Sequence, residues 1–152
     1  MDETGINGTE ARRGWMSLLA RAPERRLMAL WDAFSPRPEF NWLRRPETGA
    51  VMVRGRMGGT GAPFNLGEMT VTRCSLALAE GAVGHGYVQG RGAARAEAAA
   101  LIDALMQTEA GGAVRAAILD PLEEAMQTAR TARAAKAAAT KVDFFTLVRG
   151  ED

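Results

Sequence analysis

Three arginines, Arg54, Arg56 and Arg73, lie in the most β-prone part of this sequence and flank a glycine-rich run, Gly58–Gly59–Thr60–Gly61. A guanidinium is permanently charged, and its planar fork matches phosphate or carboxylate oxygens two at a time. Glycines let backbone N–H groups cradle the same kind of anion. Alternation along a strand puts Met52, Arg54 and Arg56 on one face of a first strand, and Met69, Val71 and Arg73 on one face of a second. The three arginines are therefore expected to line one side of a sheet beside the glycine loop. Between residues 44 and 95 seven arginines stand against three acids, Glu47, Glu68 and Glu80, a local excess of four positive charges. That excess suits a phosphorylated ligand. It suits equally well acids elsewhere in the fold or on a partner surface.

As a phosphate loop the run is a weak signal. It lacks a Gly-Lys-Ser/Thr ending and feeds a strand, which excludes the Walker A loop and the dinucleotide fingerprint. Pro63 and Phe64 point to a shaped loop with an apolar anchor, so an interface loop is as good a reading as a ligand loop. Glu68, at the start of the second strand, suits pairing with an arginine. His85 stands among glycines with Val83 and Tyr87 on its face and reads as structural, since no Ser/His/Asp set is visible. Cys74 has a basic neighbour in Arg73, which favours a thiolate, but reads better as a small buried hydrophobe. The candidate ligand or interface residues are Arg54, Arg56, Gly58, Gly59, Gly61, Asn65, Glu68, Arg73 and His85, with no catalytic residue among them. One cysteine and one histidine cannot by themselves assemble a CxxC-type or multi-histidine metal site.

Helical periodicity predicts two short helices before this region, Glu10–Arg21 and Pro23–Phe34, with Trp15, Leu18, Leu27, Leu30 and Trp31 on apolar faces. Phe40–Leu43 reads as extended or as a loop anchor. Strands are expected over Ala50–Arg56, Glu68–Ala79 and Val83–Gln89, with a loop from Met57 to Gly67 and a tight turn at Glu80–Ala82. Helices resume from Ala93 to Gln107. Asp120–Pro121–Leu122–Glu123 resembles a helix start, with Asp as N-cap and Pro in the first turn, for a helix running to about Ala139. Beyond Met126 that helix has little to bury. Val142–Val148 is apolar and β-prone, and reads as an edge strand or core anchor, or as an arm, 142–152, that docks on a partner. Residues 1–9 are polar and expected to be flexible. The order helices, strands, helices predicts a single α+β domain of two layers, with helices packed on a small antiparallel sheet.

The 152 residues are 47% hydrophobic and 24% charged with a net charge of +1, the profile of a globular chain with no bulk attraction to nucleic acid or membrane. No apolar run approaches the roughly 20 residues of a membrane span. The polar start has no apolar core of a signal peptide, so the cytoplasm is expected. Two of the 19 basic residues are lysines, Lys136 and Lys141, and the other 17 are arginines, which a genomic preference for arginine explains. Only Phe64 and Tyr87 interleave with the basic strands, too few for stacked-base recognition.

Residues Gly55–Cys74 (GRMGGTGAPFNLGEMTVTRC), followed by Gly84–Arg91 (GHGYVQGR) and Ala96–Gln107 (AEAAALIDALMQ), resemble the PhnG family, as do the opening helices with Arg21–Trp31 (RAPERRLMALW). The resemblance covers residues 13–148, and its PFNLGEMTVTRC run is far more specific than a glycine spacing. It implies a subunit of the carbon–phosphorus lyase system, α-D-ribose 1-methylphosphonate 5-triphosphate synthase. It implies joint action with PhnH, PhnI and PhnL, and a core of two copies each of PhnG, PhnH, PhnI and PhnJ. In that reaction a phosphonate such as methylphosphonate displaces adenine from ribose C1 of ATP with the triphosphate kept, and PhnJ later breaks the carbon–phosphorus bond. ATP is then a substrate of the complex, with no cofactor bound by this chain alone. The resemblance assigns no catalytic residue here, and PhnI is the better candidate for the nucleosidase-like step.

Overall fold

A computed structural model describes residues 3–142, with side chains from residue 8 onward. The chain runs through α1 (Glu3–Arg21), α2 (Glu24–Ala33), β1 (Phe40–Arg56), β2 (Pro63–Leu78), β3 (Val83–Gln89), α3 (Ala93–Leu105), α4 (Gly111–Val114) and α5 (Asp120–Ala139). The three strands form an antiparallel meander in the order β1-β2-β3, with helices on one face, the expected α+β two-layer arrangement. α1 starts at Glu3, ahead of the expected Glu10. Except for Val142, the segment read as a docking arm lies outside the described residues.

α3 is the centre of the molecule. Its residues Ala98 to Leu105 are all buried, because the helix has the sheet on one side and α1 and α2 on others. Alanines make that close approach possible, and β3 answers with glycines. A methyl group on Gly84 would lie 1.9 Å from the Ala100 carbonyl oxygen, and one on Gly86 would lie 2.1 Å from that of Ala96. The glycines beside His85 thus serve strand-on-helix packing. Leu19, Leu27, Trp31, Leu76, Val88, Ile102, Ile118 and Leu122 complete the core.

One buried carboxylate ties the layers together. Asp103 on α3 has no exposed surface, and it accepts from Arg12 Nε at 3.1 Å, Arg12 Nη2 at 2.8 Å, Trp15 Nε1 at 2.8 Å and the His85 backbone N–H at 2.9 Å. Ionised, an Asp has about four lone-pair sites, and all are used. A buried charge is tolerable only when paired and hydrogen-bonded in this way. A second buried polar group, Thr72, donates to Gly90 O at 2.8 Å and accepts from the Gly92 N–H at 3.3 Å, which pins the β3–α3 connection to β2.

The helix expected to begin at Asp120 is instead continuous with the preceding residues. Arg115–Leu119 is a widened π turn leading directly into α5, and Asp120 has helical φ −63° and ψ −49° with no capping bond. Pro121 explains the widening, since a proline inside a helix removes an N–H and crowds the carbonyl four residues back. From Gln127 to Lys141 every residue is exposed, so the far half of α5 buries no side chain among the described residues.

Candidate functional site

The arginine-bearing strands form a hairpin much longer than expected. β1 begins at Phe40 and β2 at Pro63, so the expected Met57–Gly67 loop shrinks to the turn 57–62, and Pro63–Gly67 is strand. Gly58 (φ +61°) and Gly59 (φ +80°) take left-handed conformations that turn the chain. The Gly61 N–H donates to Met57 O at 2.8 Å, and Arg56 Nη1 donates to Gly61 O at 3.2 Å. The Thr60 N–H also donates to Met57 O, so the turn spends two backbone donors and one arginine on its own closure.

β3 reaches only to Gln89, which pairs with Val71. Residues 50–70 extend past it as a two-stranded ribbon. Arg54 pairs with Asn65 and Met52 with Glu68, whereas Val51 pairs with Met69 and Glu47 with Arg73. A bulge at Leu66, between the Val53–Gly67 and Arg54–Asn65 pairs, preserves this division of faces. Directly paired residues share a face, so Arg54 and Arg56 lie on one side of the sheet and Arg73 on the other. Glu47, the partner of Arg73, is seven residues from Arg54, about 23 Å along the strand. The expected common arginine face is not formed. Alternation fixes faces within each strand, but cross-strand register relates the two, and register places Arg73 with the Val51 side.

Arg73 approaches Glu47 at 3.9 Å with both side chains exposed, a pair of little energetic weight. Arg54, Asn65 and Glu68 are exposed and, among the described residues, make no side-chain bond. His85 is exposed on the open face, its Nδ1 2.9 Å from Ser75 Oγ. Sequence reasoning missed this pair because cross-strand register brings it together. Asp103 bonds the His85 backbone and not the ring, so no Ser-His-Asp relay is formed. Cys74 is buried as expected, and burial pushes its thiol up to about 11, with Glu97 adding to the rise and a hydrogen bond from the Gly86 backbone opposing it.

Two of the grooves that flank the helices adjoin α1 and carry arginines. One of about 460 Å³ runs between α1 and β3, beside Arg13, Met16, His85 and Tyr87. The other, of about 400 Å³, lies between the α1–α2 joint and α5, and here arginines do converge: Arg21, Arg26, Arg130 and Arg133 line it over an apolar floor of Pro23, Ala125 and Met126. Arg21 donates to Ser17 O at 3.1 Å. Among the described residues the other three arginines have no carboxylate partner, and no acid lines the groove. Its two walls come from residues about 100 positions apart, so neither strand alternation nor local charge counting could find it. Among the described residues no group of His, Cys, Asp and Glu is arranged to hold a metal ion, and no helix is long and apolar enough to cross a membrane.

Comparison with known proteins agrees with the sequence resemblance. The family described as "Phosphonate metabolism protein PhnG" matches residues 10–150. The chain is also 48% identical over 145 residues, covering 95% of it and 93% of the relative, to a protein of Rhizobium meliloti (strain 1021). That relative is named alpha-D-ribose 1-methylphosphonate 5-triphosphate synthase subunit PhnG. On a family match across nearly the whole length and a close relative of the same extent, this chain belongs to the PhnG family of phosphonate metabolism proteins.

Proposed function

We propose that this chain is a subunit of α-D-ribose 1-methylphosphonate 5-triphosphate synthase, acting in the cytoplasm with PhnH, PhnI and PhnL and assembling with PhnJ in a core holding two copies of each subunit. In the reaction a phosphonate oxygen bonds to ribose C1 of ATP, the bond from C1 to adenine breaks, and adenine leaves with a proton while the triphosphate is kept. The observation that carries this reading is the 48% identity across 95% of the chain to a relative named as that subunit.

The charge burden of such a reaction lies in a triphosphate and a phosphonate, which preorganised guanidinium groups stabilise without any catalytic triad. Within this chain the Arg21, Arg26, Arg130 and Arg133 groove suits that role better than Arg54, Arg56 and Arg73, which are divided between two faces. The same division favours a second reading, a non-catalytic scaffold.

Reconstitution of the purified subunits with ATP and methylphosphonate tests both. Adenine release, followed by chromatography, should fall to background when this chain is omitted, and an undiminished rate without it overturns the proposal. Arg130→Glu with Arg133→Glu should leave assembly intact and raise the KM for ATP at least tenfold. Unchanged kinetics in that variant assign the chain to the scaffold role.

A further inference from the structure

The ribbon of residues 50–70 is built as an amphipathic arm. Val51, Val53, Phe64, Leu66 and Met69 share one face, where the Phe64 ring and Leu66 lie over Gly55, 3.4 and 3.5 Å from where its side chain would begin. Arg54, Arg56 and Glu68 share the other, together with Met52. Four of the seven large hydrophobic residues exposed among the described residues fall within the arm, with Leu66 66% and Met57 76% exposed. Tyr87, a fifth, extends the apolar face at its base. Among the described residues no third strand pairs with the ribbon. A two-stranded ribbon is marginal in water without a surface to pack on, and an apolar patch of this kind marks a binding face.

We propose that this arm is the chain's principal docking element, and that its occupant is a different protein subunit with an apolar cleft bordered by carboxylates. Its 21 residues match the roughly 20–30 residues per side of a standard protein interface. Charge argues against a second copy of this chain. Each arm carries two arginines and one acid, so two arms packed on their apolar faces leave the excess charge of Arg54 and Arg56 uncompensated on the outside, whereas a cleft that grips the ribbon with a carboxylate rim neutralises both. The proposal rests on the subunit reading above, and it assigns the glycine turn and the PFNLGEM run to assembly, not to ligand binding.

The test uses the full chain co-expressed with the other subunits. Leu66→Asp and Phe64→Asp alter exposed side chains, so the isolated variants should melt like the wild type. Both should lower recovery of the chain with its partners at least tenfold, and Arg54→Glu should weaken assembly in a salt-dependent way. Glu80→Lys, on the turn at the other end of β2, should change nothing. Failure of the wild type to assemble overturns the subunit reading and the arm together. Assembly that survives both Leu66→Asp and Phe64→Asp overturns the arm alone. A wild-type homodimer that Leu66→Asp converts to monomer makes the occupant a second copy and also overturns the proposal.

Discussion

Replacing Asp103 with Asn keeps the shape of the side chain and removes its charge, which tests whether one carboxylate holds the layers together. Its two oxygens accept four donors, two from Arg12 on α1, one from Trp15 on α1 and one from the backbone of His85 on β3. An amide leaves one oxygen to accept and turns an NH2 toward two donors it cannot serve. Breaking a buried ion pair by removing one partner costs about 3–5 kcal/mol. Arg12 keeps 32% of its side chain exposed and regains some hydration, so the lower end, about 3 kcal/mol, applies. For a chain of this length that lowers Tm by about 6–12 °C. Thermal denaturation followed by circular dichroism measures it, with Arg12→Met as the matching variant. An Asp103→Asn midpoint within 2 °C of wild type refutes the reasoning. A double variant, Arg12→Met with Asp103→Asn, should lose less than the sum of the two single losses, because no charge is then left buried without its partner.

Two further outcomes follow from the packing. Cys74, with its thiol raised from 9.0 to about 11, keeps its proton in the folded state at a pH where the unfolded chain loses it; stability is therefore fully present below pH 9 and falls as pH rises from 9 to 11, by up to about 3 kcal/mol. Urea titrations should show that alkaline loss in the wild type and a shallower one in Cys74→Ala; equal slopes count against it. Gly84→Ala would place a methyl group 1.9 Å from the Ala100 carbonyl oxygen and 2.8 Å from the Ala104 methyl, so β3 must withdraw from α3 at a cost of about 3 kcal/mol. Gly49→Ala, with nothing within 4 Å, serves as the control, and equal melting of the two variants would contradict the close-packing account.

What the sequence disclosed was whatever short-range periodicity encodes. The meander of β2 and β3, the helices around Trp15 and Trp31 and the burial of Cys74 all follow from local pattern and a short turn. The long hairpin was hidden because glycine, proline and asparagine between Met57 and Gly67 carry turn signals, whereas Phe64 over Gly55 and the pairing with β1 make most of that stretch strand. The sorting of the arginines was hidden because it depends on register and on a bulge at Leu66, which no single strand's alternation encodes. In the sequence Asp103 is one acid in an alanine-rich helix. Its partners lie 18 to 91 residues away, and only the packed layers bring them together.

The placement of polar groups separates what this chain does for itself from what it offers outward. Its buried polar groups are largely spent on its own architecture, Asp103 joining α1, α3 and β3, and Thr72 fixing the loop into α3. Among the described residues the exposed features have no counterpart: an apolar ribbon face, four arginines around one groove, and a final helix half that buries nothing. Exposed apolar surface and clustered like charge each cost free energy in isolation, and a single partner contact can relieve several such costs at once. A PhnG chain carrying all three is therefore best understood as one part of a larger surface, with the hairpin arm giving hold and the arginine groove giving charge.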